Sequence, residues 1–148
     1  MNNTAKNTRT YKILVADDEP HVATELKFSL ENTEHVQHRV LNALTGEDAL
    51  KKAVQERPNL IILDMMMPEN SLSAIDPRQG FEVYKRLQEN PTTKEIDTIF
   101  SSAFKINNIE EETSNKNIKQ FIKFHDDDEK YDYIKELIQN QFLSQKHI

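Results

Sequence analysis

The acids Asp17, Asp18 and Asp64, the hydroxyl of Ser102 and the ammonium of Lys123 are the side chains of this 148-residue chain best able to do chemistry together. Asp17 and Asp18 follow the apolar run YKILVA, residues 11–16, and Asp64 follows LIIL, residues 60–63. A charge at the end of a stretch patterned for full burial is costly unless it is neutralised or used. Three carboxylates converging on one point repel each other unless a cation joins them. Oxygen donors with no His or Cys among them suit Mg²⁺, which keeps several waters and binds through few carboxylates plus a phosphate. Lys123 would add a movable positive charge and Ser102 a hydroxyl donor. In such a set Asp64 could be a ligand, a general base, or a nucleophile that takes a phosphoryl group as an acyl phosphate. The nucleophile reading accounts for every member, because metal and Lys123 would neutralise the transferring phosphoryl oxygens.

For these groups to meet, four distant segments must end at one place. Tyr11–Ala16 is patterned as a strand, and Asp17, Asp18, Glu19 and Pro20 then suit a helix N-terminus. Val22, Leu26 and Leu30, with Ala23 and Phe28 between, fit an amphipathic helix. His38–Ala43 is a second strand. Thr45 is its following N-cap, with Asp48 echoing a capping box, and Ala49, Leu50, Ala53 and Val54 line the helix face that Pro58 stops. Leu60–Leu63 is continuous rather than alternating, the pattern of a strand covered on both faces. Gly80 opens a helix with Phe81, Val83, Tyr84 and Leu87, and Ile96–Phe100 is a fourth strand reaching Ser101, Ser102 and Ala103. Residues 105–117 carry a poor helical signal, with Ile106 and Ile109 their only large apolar residues. Ile118–Ile122 is a fifth strand. A helix from about Asp128 to Leu143 buries Tyr131, Ile134, Leu137, Ile138 and Phe142. Fivefold strand–helix alternation predicts an α/β fold, a five-stranded parallel sheet doubly wound with helices on both faces. Functional groups gather at the carboxyl ends of such strands, where Asp17, Asp18, Asp64, Ser102 and Lys123 all fall.

Composition excludes other classes. The length is about that of one domain. With no cysteine there are no disulfides or thiolate metal sites. The N-terminus lacks a signal-peptide core and no run approaches membrane-spanning length, so a cytoplasmic protein without membrane contact is expected. Nineteen basic against 25 acidic residues leave a net charge of −6, which argues against direct nucleic-acid binding.

The motifs ILVADDEP, LIILDMMMP, GFEVYKRL, IFSSA and FIKF, in this order, closely resemble the receiver domain of two-component response regulators, from about Tyr11 to Leu143. The spacings from Asp18 to Asp64 and from Ser102 to Lys123, 46 and 21 residues, are ordinary for that family. The resemblance implies a flavodoxin-like fold and a phosphorelay function. Asp64 takes the phosphoryl group from a phosphohistidine on a sensor histidine kinase or phosphotransfer protein. Asp18, Asp64 and the backbone carbonyl of Met66 ligate Mg²⁺ directly, and Asp17 acts largely through water. Ser102 turns inward to the phosphoryl group, Lys123 pairs with it, and a downstream protein target or output domain reads the change in conformation. The implied chemistry is self-phosphorylation and self-dephosphorylation rather than enzymatic turnover, and a homodimer is compatible with it. The domain reading is a flexible tail at 1–10, the receiver at 11–144 and a short end at 145–148. A Mg²⁺-dependent aspartyl-phosphate phosphatase or phosphotransferase is the alternative, weakened because Met66 stands where such enzymes carry a second acid. A receiver-like module that binds partners without phosphorylation is a third.

Three departures from the family pattern accompany the match. Eleven residues, ENSLSAIDPRQ at 69–79, lie between Pro68 and Gly80, where a short loop is usual, and could be a lid, a partner contact or neutral decoration. Phe124 replaces a proline after Lys123. Gln120 stands where a switch aromatic is frequent, while Phe121 should face the other side of the strand. Met66 and Phe104, two residues beyond Asp64 and Ser102, are apolar and cannot orient an attacking water, which predicts slow loss of the phosphoryl group. Met65, Met66 and Met67 are read as packing, and His125 with Asp126, Asp127 and Asp128 as a solvated helix start. His35 and His38 are read as surface residues, and His21 as a peripheral neighbour of the site.

Overall fold

A computed structural model describes residues 9–30, 36–123 and 128–146. Five strands form one sheet in the order β2-β1-β3-β6-β7: β1 (Arg9–Ala16), β2 (Val36–Ala43), β3 (Leu60–Leu63), β6 (Asp97–Ser102) and β7 (Lys119–Ile122). Every neighbouring pair in that sheet is parallel. The helices are α1 (His21–Leu30), α2 (Gly46–Glu56), α3 (Gln79–Glu89), α4 (Ile109–Thr113) and α5 (Asp128–Lys146). A short antiparallel pair, β4 (Met67–Pro68) with β5 (Ile75–Asp76), stands apart from the main sheet.

Side-chain alternation along the strands explains the two helix layers. Leu14, Ala16, Ile61, Leu63 and Phe100 pack with Ala49 and Ala53 of α2, Val83, Tyr84 and Leu87 of α3, and Ile109 of α4. Their sequence neighbours Ile13, Val15, Leu60, Ile62 and Ile99 point the other way, onto Val22, Leu26 and Leu30 of α1 and Ile134 and Ile138 of α5. All four residues of β3 are buried, as its unbroken apolar pattern requires. Fully burying one Leu or Ile contributes roughly 2 kcal/mol, so these two clusters hold the layers together. The doubly wound parallel fold expected from the alternation is the fold observed.

Local signals behaved as their chemistry demands. Thr45 caps α2 by accepting from the Asp48 backbone N–H at 3.1 Å. Segment 105–117 yields only the five-residue α4. Two residues placed on helix faces by periodicity, Phe28 and Val54, are exposed instead. In a helix, the core-facing stripe is narrower than the full apolar pattern when only one face meets the sheet. His38, read as a surface residue, is half-buried in β2, and burial lowers its pKa. Phe124, His35, His125, Asp126 and Asp127 lie outside the described residues, as do the side chains of Asp128 and Phe142.

The inserted segment is built rather than loose. Its first residue, Glu69, accepts from the Glu47 N–H at the start of α2, and Arg78 pairs with Glu112 of α4 at 2.8 Å. Gln79 packs against Gly46, where a Cβ would overlap its side chain. The hairpin thus ties together the starts of α2 and α3 and the last turn of α4, while Leu72 at its tip is 96% exposed.

Candidate functional site

Because the strands are parallel, their carboxyl ends share one edge of the sheet, and backbone bonds beyond the strands set the register there. Asp17 N–H donates to the Ala43 carbonyl, Asp64 N–H to the Ala16 carbonyl and Lys123 N–H to the Ser102 carbonyl, each at 2.9 Å. These three bonds bring residues from β1, β3 and β7 to adjoining positions. Gly80 makes the approach of α3 feasible, since a Cβ there would lie 2.6 Å from the Asp64 carbonyl oxygen and 2.7 Å from Met65 Cα. Both are backbone atoms and cannot turn aside.

Lys123 is the hub. Its Nζ lies 3.0 Å from Asp17 Oδ2, 3.0 Å from Glu19 Oε1 and 3.1 Å from Asp64 Oδ2. Asp17 and Asp64 are 2% and 3% exposed and Lys123 is 6% exposed, so their mutual contacts are screened little by water, whereas the contact to the partly exposed Glu19 is screened more. Asp17 Oδ1 also accepts the Glu19 N–H at 2.9 Å, which folds the DDE turn over the site. Asp64 Oδ1 accepts a long contact, 3.4 Å, from Met66 N–H.

Electrostatics follow from this crowding. Burial and the neighbouring Asp17 charge push the Asp64 carboxyl up to about 6, against the opposing pull of Lys123. Asp17 is also raised, chiefly by burial. Burial would depress the Lys123 ammonium, but its hydrogen bond to Asp17 and the charges of Asp64 and Asp17 outweigh that and raise it. Among the described residues, Asp17, Asp18, Glu19 and Asp64 set four acids against the lysine Lys123, a set that favours a further cation. Carboxylate oxygens of Asp17, Asp18 and Glu19 lie within 4.8 Å of one another, the arrangement a hard divalent ion takes.

Of the residues singled out from sequence, Asp17, Asp64 and Lys123 are in direct contact, and Asp18 adjoins them in the acidic turn. Ser102 ends β6 one ladder step from Lys123, but its hydroxyl donates to the Phe104 carbonyl at 2.6 Å and not to the acids. Glu19 is the residue that sequence reasoning missed, having been read only as part of a helix start. The unbroken run of three acids was its signal. His21 reaches Glu19, its Nε2 3.7 Å from Oε2, and so touches the site at one remove. Met65 and Met67 are buried in the core, as expected of packing residues, whereas Met66 is exposed beside the site. Gln120 points into the β6–α4 loop and bonds Ile106, and Phe121 faces the opposite layer against Tyr133.

A parallel sheet in this order, with acids and a lysine at its carboxyl edge, defines a buried acidic site on a flavodoxin-like scaffold. The model of the response regulator receiver domain matches residues 13–134, and the chain belongs to that family. It is 42% identical over 78 residues to the alkaline phosphatase synthesis transcriptional regulatory protein PhoP of Bacillus subtilis, covering 53% of this chain and 28% of that protein. It is 35% identical over 94 residues to the response regulator PleD of Caulobacter vibrioides, covering 62% of this chain and 18% of that protein. The matched segment is thus under a third of each of these relatives. Among solved structures, the signal receiver domain of a DNA-binding response regulator from Colwellia psychrerythraea superposes with a TM-score of 0.66 at 21% identity, covering 87% of this chain and 98% of that one. The phosphorylated cyanobacterial phytochrome response regulator RcpA does so at 0.64 and 19%, covering 92% and 96%. At such identities the likeness concerns the fold. No described helix is long and apolar enough to cross a membrane.

Proposed function

We propose that Asp64 is the phosphoacceptor of this receiver domain, and that the contact of Lys123 with Asp64 and Asp17 is the observation that carries the assignment. One oxygen of the Asp64 carboxylate attacks phosphorus of a phosphohistidine on a sensor kinase or phosphotransfer protein. The P–N bond breaks, and the imidazole leaves with a proton from solvent. Lys123 shifts from pairing the free carboxylate to pairing a phosphoryl oxygen, and Ser102 supplies a hydroxyl donor from the end of β6. Asp17, Asp18 and Asp64, with the Met66 carbonyl, would hold Mg²⁺, and the excess of acids over cations in the turn fits that ion. Bound there, Mg²⁺ supplies charge neutralisation on the transferring group.

The domain extends over 11–144, with 69–79 as a structured insertion. Its own chemistry is limited to self-phosphorylation and hydrolysis of the acyl phosphate. Its partners are the phosphodonor protein and a downstream protein or output segment that reads the phosphorylated state, and its compartment is the cytoplasm. A phosphatase with true turnover lacks support, because Met66 occupies the place of its second acid.

Intact-mass measurement after incubation with acetyl phosphate tests the reading. One added phosphoryl group is expected with Mg²⁺, none with chelator and none in Asp64→Asn. Mg²⁺-dependent labelling that persists in Asp64→Asn would overturn the assignment.

A further inference from the structure

The Ser102 hydroxyl carries one proton and therefore donates to one acceptor at a time. That proton is committed to the Phe104 carbonyl at 2.6 Å. The Ser102 backbone cannot move to share it, since Ser102 is paired with Ile122 in the ladder and its carbonyl accepts the Lys123 N–H. Phe104 lies in the loop from Ala103 to Asn108 that joins β6 to α4. Two residues further on, that loop is gripped by a side chain from β7. The Gln120 Oε1 accepts the Ile106 N–H at 2.9 Å, and its Nε2 donates to the Ile106 carbonyl at 3.3 Å. One amide thus satisfies both backbone groups of a single loop residue, leaving that residue little freedom relative to the sheet.

We propose that Gln120 is a positioning residue for the phosphoryl site. By clamping Ile106 it holds the Phe104 carbonyl within reach of Ser102, and so sets how readily the Ser102 proton is given up to a phosphoryl group on Asp64. The proposal rests on Asp64 being the acceptor. A phosphoryl group on Asp64 and the Phe104 carbonyl compete for the same proton. When the phosphoryl group takes it, the Phe104 carbonyl loses its partner, the loop readjusts around the Ile106 clamp, and the change reaches β7 through Gln120. Phe104, 73% exposed, and Ile106 line a cavity of about 240 Å³ with Met66, Pro77 and Phe81, so this loop movement alters an apolar surface beside the site.

The test is a cycle of variants followed by intact mass with acetyl phosphate and Mg²⁺: wild type, Gln120→Leu, Ser102→Ala and the double variant. Gln120→Leu frees the loop and is expected to speed labelling about fivefold, the loss of one competing hydrogen bond. Gln120→Glu keeps the acceptor for Ile106 N–H but removes the donor, and is expected to fall between Leu and wild type; it also carries the test if the Leu variant does not fold. In the Ser102→Ala background, replacing Gln120 is expected to change nothing, because no proton is left to release. Labelling of Gln120→Leu at the wild-type rate, or an equal gain with and without Ser102, would overturn the proposal while leaving Asp64 as acceptor. Failure of wild type to label at all would instead overturn the acceptor reading. In wild-type protein, the Gln120 side-chain amide proton resonances are expected to shift on phosphorylation and to stay fixed in Asp64→Asn; resonances unmoved in phosphorylated wild type would count against the coupling.

Discussion

Lys123 Nζ lies 3.1 Å from Asp64 Oδ2, joining residues 59 positions apart in the chain and buried at the same sheet edge. The ammonium occupies the space between acids that otherwise repel, so it serves stability as well as chemistry. Lys123→Ala is expected to destabilise the Mg²⁺-free protein by about 3 kcal/mol, the usual cost of leaving a buried partner uncompensated. Added Mg²⁺ should return part of that loss. Urea denaturation with and without the ion checks both statements.

Asp64 itself should oppose folding near neutral pH. Its folded pKa of about 6 stands above the ordinary 3.8 of an unfolded aspartate. The folded state therefore holds this proton to higher pH than the unfolded state does. Stability from this group is lost as pH rises from about 4 to about 6, and is lowest above that window. Asp64→Asn is expected to stabilise the Mg²⁺-free protein at pH 7 by about 1–3 kcal/mol, because burial and the Asp17 charge outweigh the pairing with Lys123. The gain should shrink below the ordinary aspartate pKa. Paired denaturation curves at acid and neutral pH decide it.

The same proton competes with metal. Apparent Mg²⁺ affinity should weaken as pH falls through about 6, where Asp64 becomes protonated. Calorimetric titration across that range is the measurement, and a flat profile would remove Asp64 from the ligand set.

Gly80→Ala should damage site and fold together. The new methyl meets the backbone at Asp64 and Met65, so α3 must move away from the end of β3. A loss of about 1–3 kcal/mol is expected from such overpacking. Slower labelling by acetyl phosphate should accompany it, whereas Thr45→Ala, at the α2 cap, should cost about 1 kcal/mol and leave labelling unchanged.

Apolar Met66 and Phe104 should make the acyl phosphate long-lived. Neither side chain can hold a water in line with phosphorus. Decay over minutes rather than seconds is expected once the donor is removed, and Met66→Asn should shorten it several-fold. Mass spectrometry of the isolated phosphoprotein over time gives the answer.

Strand–helix alternation, the unbroken apolar pattern of Leu60–Leu63 and the Thr45 cap were legible in sequence because each depends on neighbours within a few residues. The positions of Asp17, Asp64, Ser102 and Lys123 at strand ends were legible for the same reason, and parallel pairing then placed them on one edge. Which of them touch was not legible. The grip of Lys123 on Glu19, the turning of the Ser102 hydroxyl to Phe104, and the clamp of Gln120 on Ile106 depend on side chains meeting across strands, where local patterns are silent. The inserted hairpin was equally hidden, since its anchors on Glu47 and Glu112 lie far away in the chain. The amino-acid order determined the scaffold and the residue types at its carboxyl edge, through short-range periodicity and composition. Only tertiary structure decided the pairings, because one ammonium, one hydroxyl proton and one amide can each choose among several partners that packing alone brings within reach.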